Sequence, residues 1–336
     1  MRATIKDVAR EAGVSVSTVS YALSRKGAAI KDSHKRVLAA ADKLGYVPDA
    51  TARSLVNSRT NNIGLIIPCE IGSDFQNPYY VEVISVFSEE LARRGMWLSL
   101  YMHGGADSRI FENLLIDAKM DGVVWANCCP SERENEIIER RGLPRVVVGT
   151  FFDMKLPLPT VRIESSAGIT QALQHLAALG HTEIMAISSS VRDFRNSMLD
   201  VAASSAGLRL TNSLYGYFDE NTAFSEMEKY LTDGGEVPTA IFASSDFMAL
   251  GAINALKAHG YNIPGDVSVI GHDDILAARR ASPPLSTVRQ RLDIAAKTSV
   301  DYLIKCRDEK DMLNDFVALI DAEFVARSST AKRRNK

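Results

Sequence analysis

At 336 residues and 46% hydrophobic content, the chain has material for two or three domains and a substantial core. Its formal charge of −2 hides an asymmetry: residues 1–60 carry 11 Lys and Arg against 5 Asp and Glu, whereas 61–326 carry 23 against 36. A basic head on an acidic body points to polyanion binding by the head alone and argues against wrapping of nucleic acid by the whole chain. Cys69, Cys128, Cys129 and Cys306 form no CxxC pair and have no histidine at metal-ligand spacing, so neither a zinc site nor a disulfide framework is expected. The N-terminus has no apolar leader, and no run approaches about 18 apolar residues. The expectation is a cytoplasmic protein that does not span a membrane.

The first predicted helix begins after Thr4. Ile5, Val8, Ala9 and Ala12 fall at i, i+3, i+4 and i+7, so one face is apolar. Thr4 caps it, Asp7 completes a capping box, and Gly13 allows the left-handed backbone of a tight turn. Ser15 caps a second helix whose Val19 and Leu23 point inward, leaving Val16, Ser17, Ser20 and Tyr21 outward. This is a helix-turn-helix, and a capped helix with a polar outer face suits the DNA major groove. A third helix is expected from Ser33 to Leu44, ended by Gly45 and blocked by Pro48. Residues 49–56 are too short and too weakly amphipathic to be helical alone in water. A polar linker follows.

From Ile63 the pattern alternates between short apolar runs and helical stretches. Strands are predicted at Ile63–Ile67, Leu98–Met102, Gly122–Ala126 and Arg145–Gly149, with helices near 79–94, 108–118 and 132–141. A second series places strands at Glu183–Ser188, Leu214–Phe218, Thr239–Ser244 and Val267–Gly271, with helices near 166–179, 195–206, 220–232 and 247–259. Apolar strands separated by helices imply parallel sheets covered on both faces. Two such doubly wound halves imply a cleft between them. The helical pattern after Arg289 and the strand-like Phe316–Ile320 are expected to cross back to the first half. The chain carries no GxGxxG after the first strand, no Walker A motif, and neither GxSxG nor HExxH. No enzyme activity and no cofactor or metal is therefore expected.

A series of landmarks follows in order: Lys6-Asp7-Val8-Ala9, Ala12-Gly13-Val14-Ser15, Gly45-Tyr46-Val47-Pro48, Ala52-Arg53-Ser54-Leu55 and Asn61-Asn62-Ile63-Gly64-Leu65. Asn77-Pro78-Tyr79-Tyr80, Met120-Asp121-Gly122-Val123, Leu179-Gly180-His181, the run Ser245–Gly251, the run Asp266–Asp274 and Pro283–Val288 complete it. On these residues the chain resembles the lactose-repressor (LacI/GalR) family over roughly residues 3 to 325. The resemblance implies an all-α head with a hinge helix, and a periplasmic-binding-protein-like α/β core of two doubly wound subdomains. The implied boundaries are 1–47 for the head, 48–61 for hinge and linker, and 62–325 for the core. Within the core, 62–162 with 290–325 would form one subdomain and 163–289 the other. The basic stretch 326–336 is expected to be a solvated tail.

The same resemblance implies a homodimeric, ligand-responsive transcriptional regulator that binds a pseudo-palindromic operator. It would repress a catabolic operon until a small, carbohydrate-like effector releases it. A co-repressor-dependent regulator, an activator and a transport-type binding protein are the alternatives. Val16, Ser17 and Tyr21 match base-reading positions, while Thr4, Ser15, Thr18 and Ser20 are placed for phosphates. Ala52, Arg53 and Leu55 belong to the hinge, with Leu55 levered into the minor groove, where unstacking costs a few kcal/mol. Arg195, Asp273, Phe218, Tyr79, Tyr80 and Ser245 match effector-binding positions. Three departures set the chain apart from sugar-responsive members: Gly149-Thr150 stands where they carry an aspartate, Ser245 where they carry an asparagine, and Met198 where they carry a glycine. Those losses remove hydroxyl-reading capacity.

Overall fold

The computed structural model describes residues 3–24, 32–47, 59–68, 77–103, 108–117, 119–149, 157–191, 193–309 and 315–333. These fall into two units, residues 1–60 and 61–336. The hinge residues Ala52, Arg53 and Leu55, and Thr150, lie outside the described residues.

The small unit contains α1 (Ile5–Ala12), α2 (Val16–Ser24) and α3 (Asp32–Lys43). Both halves of the Thr4–Asp7 capping box form, and Gly13 ends α1 at φ 64°. The Ser15 hydroxyl accepts the Thr18 N–H at 3.2 Å and so closes the start of α2. Val8, Ala9, Ala12, Val19, Ala22, Val37, Ala40 and Ala41 make the core, with Ile5, Leu23 and Leu44 packed on it. So small a core is marginal by area alone. The caps matter accordingly, each contributing about 1 kcal/mol.

The large unit holds two six-stranded sheets. The first comprises β1 (Asn62–Pro68), β2 (Trp97–His103), β3 (Gly122–Ala126), β4 (Arg145–Gly149), β5 (Thr160–Glu164) and β11 (Val317–Asp321). Its order is β11-β5-β4-β3-β1-β2, and every pairing is parallel. β3 and β4 are buried throughout, as central strands covered on both faces should be. Helices α4 (Pro78–Arg93), α5 (Ser108–Asp117) and α6 (Glu132–Arg140) connect these strands. The second sheet comprises β6 (Glu183–Ser188), β7 (Arg209–Tyr215), β8 (Ala240–Ala243), β9 (Ser268–Asp273), β10 (Ser286–Arg289) and β12 (Glu323–Val325). Its order is β12-β10-β9-β8-β6-β7, and only β12 runs antiparallel. Helices α7 (Ser166–Ala178), α8 (Phe194–Ala206), α9 (Glu220–Thr232), α10 (Asp246–Ala258) and the short α11 (Leu276–Arg280) belong to this half. Helix α12 (Leu292–Glu309) returns to the first half and packs on α4, β3 and β4.

The chain passes between halves three times: after Glu164, after Arg289 and after Asp321. The expected return of 290–325 to the first half therefore ends at Asp321, because Glu323–Val325 pairs with β10 in the second sheet. The strand expected at Leu214–Phe218 is instead Arg209–Tyr215. Tyr217 and Phe218 have φ of 49° and 57°, a left-handed backbone that takes both residues out of extended structure. The short strands β5, β10 and β12 and the helix α11 had no clear signal in periodicity.

The expectation of a solvated tail is also corrected. Ser329 is buried, donates its hydroxyl to the Val269 carbonyl at 2.6 Å and accepts the Ser286 N–H at 2.8 Å. Further along, the Arg333 N–H reaches the Leu179 carbonyl at 2.9 Å, and its guanidinium reaches Thr182. Backbone groups satisfied this way hold residues 327–333 against the second half despite their charge. Among the described residues no helix is long and apolar enough to cross a membrane. Nor, among them, does any group of three or more His, Cys, Asp or Glu form that could hold a metal ion.

Candidate functional site

On the head, Val16, Ser17, Ser20 and Tyr21 are exposed, as are Thr4 and Ser15, while Thr18 is half-buried. Val16 is 41% and Tyr21 52% exposed, an apolar display that the small core does not use. Ser15 forms hydroxyl contacts of 2.8 Å with both Ser17 and Thr18, and Thr4 donates its hydroxyl to Asp7 at 2.7 Å. Thr4 and Ser15 therefore act as caps in the free chain. Their hydroxyls sit at helix N-termini, where backbone N–H groups and the helix dipole favour an anion.

In the core, the second set of residues converges at strand ends. In the second sheet, β6 lies between β7 and β8, so the chain reverses direction across the sheet at the carboxyl ends of β6 and β8. Ligands of open α/β sheets bind at such a switch point. Asp193 caps α8 there, accepting the Arg195 N–H at 3.0 Å. The same oxygen accepts Arg195 Nε at 3.0 Å, while Arg195 Nη1 donates to the Ser244 carbonyl at 3.0 Å. The guanidinium also lies 4.8 Å from the centre of the Phe218 ring, a cation–π arrangement. Burial alone would raise the Asp193 carboxyl, but the Arg195 charge and the bonds from Arg195 and Ser189 hold it below the usual range.

Asp273 ends β9 with φ 120°, followed by Asp274 at φ 62°. Two successive residues in that region are strained for side chains with a Cβ, and such strain persists only where neighbours fix it. The fixing contacts are present. Asp273 Oδ1 accepts Gln290 Nε2 at 2.6 Å and lies 3.0 Å from His272 Nδ1. Asp274 takes Arg289 at 2.7 Å and Arg327 at 2.6 Å, and the Ile275 N–H goes to Asp246 at 2.9 Å. Asp246 is fully buried, and that burial, with the nearby Asp273 charge adding to it, pushes its carboxyl well above the usual range. Ser245 is buried as the cap of α10, its hydroxyl accepting the Met248 N–H at 3.2 Å.

The first half contributes Tyr79, whose hydroxyl donates to Gln290 Oε1 at 3.1 Å. Asn127, at the end of β3, bonds the same phenol, and burial followed by the Asp273 charge drives that phenol upward. Tyr80 packs edge-on against Tyr79 at 5.5 Å. A continuous path thus runs from Tyr79 through Gln290 and Asp273 to His272, whose Nε2 lies 3.0 Å from Ser165 at the first crossing. Beside Asp273 a cavity of about 500 Å³ is lined by Glu82 and Val86 of one half and Arg279 and Arg289 of the other. Glu82 closes one side, accepting the Leu276 N–H and Arg279 at 2.7 Å each.

Tyr79, Tyr80, Arg195, Phe218 and Asp273 are thus brought to the strand ends, whereas Ser245 spends its hydroxyl on a cap. Sequence reasoning missed Asp193, Gln290, His272 and Asn127. Only Asp193 had a local signal, an aspartate just ahead of a helical run.

Residues 4–49 match the family described as bacterial regulatory proteins, lacI family, and 173–330 match a periplasmic binding protein-like domain. The transcriptional repressor PurR of Histophilus somni is 32% identical over 341 aligned residues, covering 97% of this chain and 98% of that protein. A complex of the transcriptional regulator CelR with cellobiose superposes at TM-score 0.69 with 25% identity, over 98% of this chain and all of that one. The lac repressor dimer bound to operator and the anti-inducer ONPF gives 0.79 at 21% identity, with the same coverage. With its head matched to the family's own and a 32% identical repressor aligned along almost its whole length, the chain belongs to the lacI family, as a DNA-binding transcriptional regulator with an effector-binding core and not an enzyme.

Proposed function

We propose that the chain acts in the cytoplasm as a homodimeric repressor, binding a pseudo-palindromic operator until a small carbohydrate-like effector enters the core cleft. The observation that carries this reading is the convergence of Tyr79, Arg195, Phe218 and Asp273 at strand ends of both halves of the core. Support for the ligand class comes from the CelR–cellobiose complex and from a family member of Enterococcus faecium with bound ribose. In this reading Val16, Ser17 and Tyr21 read bases, Thr4, Ser15, Thr18 and Ser20 take phosphates, and Ala52, Arg53 and Leu55 form the hinge. The block 1–47 is the head, 48–61 the hinge and linker, and 62–325 the effector-binding and dimerisation core.

Gating follows from population shift: effector favours one arrangement of the two halves, and the marginal 50–57 segment of each protomer loses its order. A ligand shifts such an equilibrium only by its differential affinity, and the coupling is reciprocal. Operator must therefore change effector affinity by the same factor that effector changes operator affinity. Calorimetric titration of effector into protein with and without operator measures both arms, and an unchanged affinity would overturn the gating.

Base choice has its own test. Val16 and Ser17 offer no bidentate donor for guanine, so methyl contact and single hydroxyl bonds would carry recognition. Replacing both is expected to change the preferred bases in each half-site, each altered pair being worth about 1–3 kcal/mol. Half-site spacing, set by dimer geometry, stays. Selection from randomised DNA reads the result, and an unchanged operator would mean that α2 docks in another orientation.

A further inference from the structure

The guanidinium at the switch point of the second sheet does not wait for a ligand's charge. Asp193 supplies a carboxylate from within the chain, with 1% of its side chain exposed beside an Arg195 side chain that is 11% exposed. One Asp193 oxygen engages Arg195 Nε and the Arg195 N–H. The other accepts Ser189 Oγ at 2.7 Å and Ser244 Oγ at 3.3 Å. The carboxylate is thus fixed by residues at the ends of β6 and β8 and at the start of α8, and the guanidinium carbon lies over the Phe218 ring. An anionic ligand would meet a guanidinium already neutralised, and displacing Asp193 from Nε would leave a buried carboxylate uncompensated.

Asp273 sharpens the bias. Its bonds come from an amide and an imidazole, Gln290 and His272, and among the described residues no Lys or Arg pairs with it. The pair Arg195–Asp193 is formally neutral, and Arg279, Arg289 and Arg291 in the wall beside Asp273 are each matched by a carboxylate, Glu82, Asp274 and Asp293, so Asp273 leaves the charge facing the site negative.

On these grounds we propose that Asp193 sets the charge class of the effector: the cleft takes a ligand without negative charge that offers hydrogen-bond donors to Asp273, and it excludes carboxylates and phosphates. The inference rests on the reading of Arg195 and Asp273 as effector contacts. It separates this chain from a site in which the same arginine grips an acid or a phosphorylated sugar, since a guanidinium with an open fork prefers those ligands.

The test uses the full chain and inorganic phosphate, followed at the Arg195 Nε–H resonance, which reports this site apart from the basic head. Asp193→Asn keeps the helix cap, because asparagine caps as well as aspartate. Asp193→Ser keeps a cap with a shorter side chain, in case the asparagine still occupies the guanidinium. Circular dichroism checks that both variants fold. Wild type is expected to show no saturable phosphate shift, and at least one variant to gain about tenfold or more in phosphate affinity. Adding Arg195→Ala to that variant is expected to abolish the gain. Phosphate binding by wild type as tight as by the variants would overturn the proposal, as would folded variants that gain nothing. Failure of the underlying reading looks different: an effector response that survives Arg195→Ala alone.

Discussion

Arg195→Ala is expected to remove the effector response and also to lower the stability of the core. The two losses have different causes. The guanidinium sits at the switch point on Phe218, and removing a charged contact there should weaken ligand binding by about 2–5 kcal/mol. Independently, Asp193 loses the one cation that pairs with it among the described residues and remains as a buried carboxylate. Breaking a buried pair from one side costs about 3–5 kcal/mol, most of it the penalty of the stranded charge. A double variant separates the effects: Asp193→Asn added to Arg195→Ala should restore much of the stability and none of the response. Denaturant melts and effector titrations of operator-bound protein measure the two quantities. In wild type the Asp193 carboxyl is held below its ordinary value of 3.8, so its contribution is complete above that pH. It is lost as the pH falls through the lower folded value, and the Arg195→Ala protein should lack that acid dependence. A retained response would show that Arg195 is structural only.

Gly271→Ala is expected to destabilise the core by about 3 kcal/mol and to disturb the site with it. Gly271 lies in β9, bonded into the sheet between β8 and β10. A Cβ there would lie 2.1 Å from Asp246 Oδ1 and 2.8 Å from Leu285 Cδ2. The carboxylate cannot swing aside. Thr287 Oγ1 donates to it at 2.6 Å and the Ile275 N–H at 2.9 Å, and it has no solvent to move into. Any shift of Asp246 pulls on Ile275 and so on the strained pair Asp273–Asp274, which explains why a core glycine should affect ligand affinity. Chemical denaturation should show a lowered midpoint with an unchanged slope. A melt indistinguishable from wild type would mean that β9 relaxes more readily than its pairing suggests.

The sequence by itself determined the head. The spacing of Val8, Ala12 and Val19, the Thr4–Asp7 box, the Gly13 turn and the Ser15 cap are local features, and each forms within a few residues of chain. The alternation of apolar runs and helices in the core was legible for the same reason, since a strand buried on both faces must be apolar along its length, as Gly122–Ala126 is. Motif resemblance then singled out Arg195, Phe218 and Asp273 as candidate effector contacts.

Tertiary structure decided the rest. Phe218 reads as the end of an apolar strand, yet its positive φ turns it out of β7 to lie beside Arg195. The basic residues 327 and 333 read as a solvated tail, but Asp274, Thr182 and the Leu179 carbonyl, all far away in the chain, hold them down. Gln290 joins Tyr79 to Asp273 only because the chain crosses between halves next to it. Periodicity reports which face of an element is apolar, not which distant polar group will lie opposite. A buried hydrogen bond between residues 211 positions apart in sequence, such as Tyr79 to Gln290, exists only once both sheets have formed and the crossings have set their spacing.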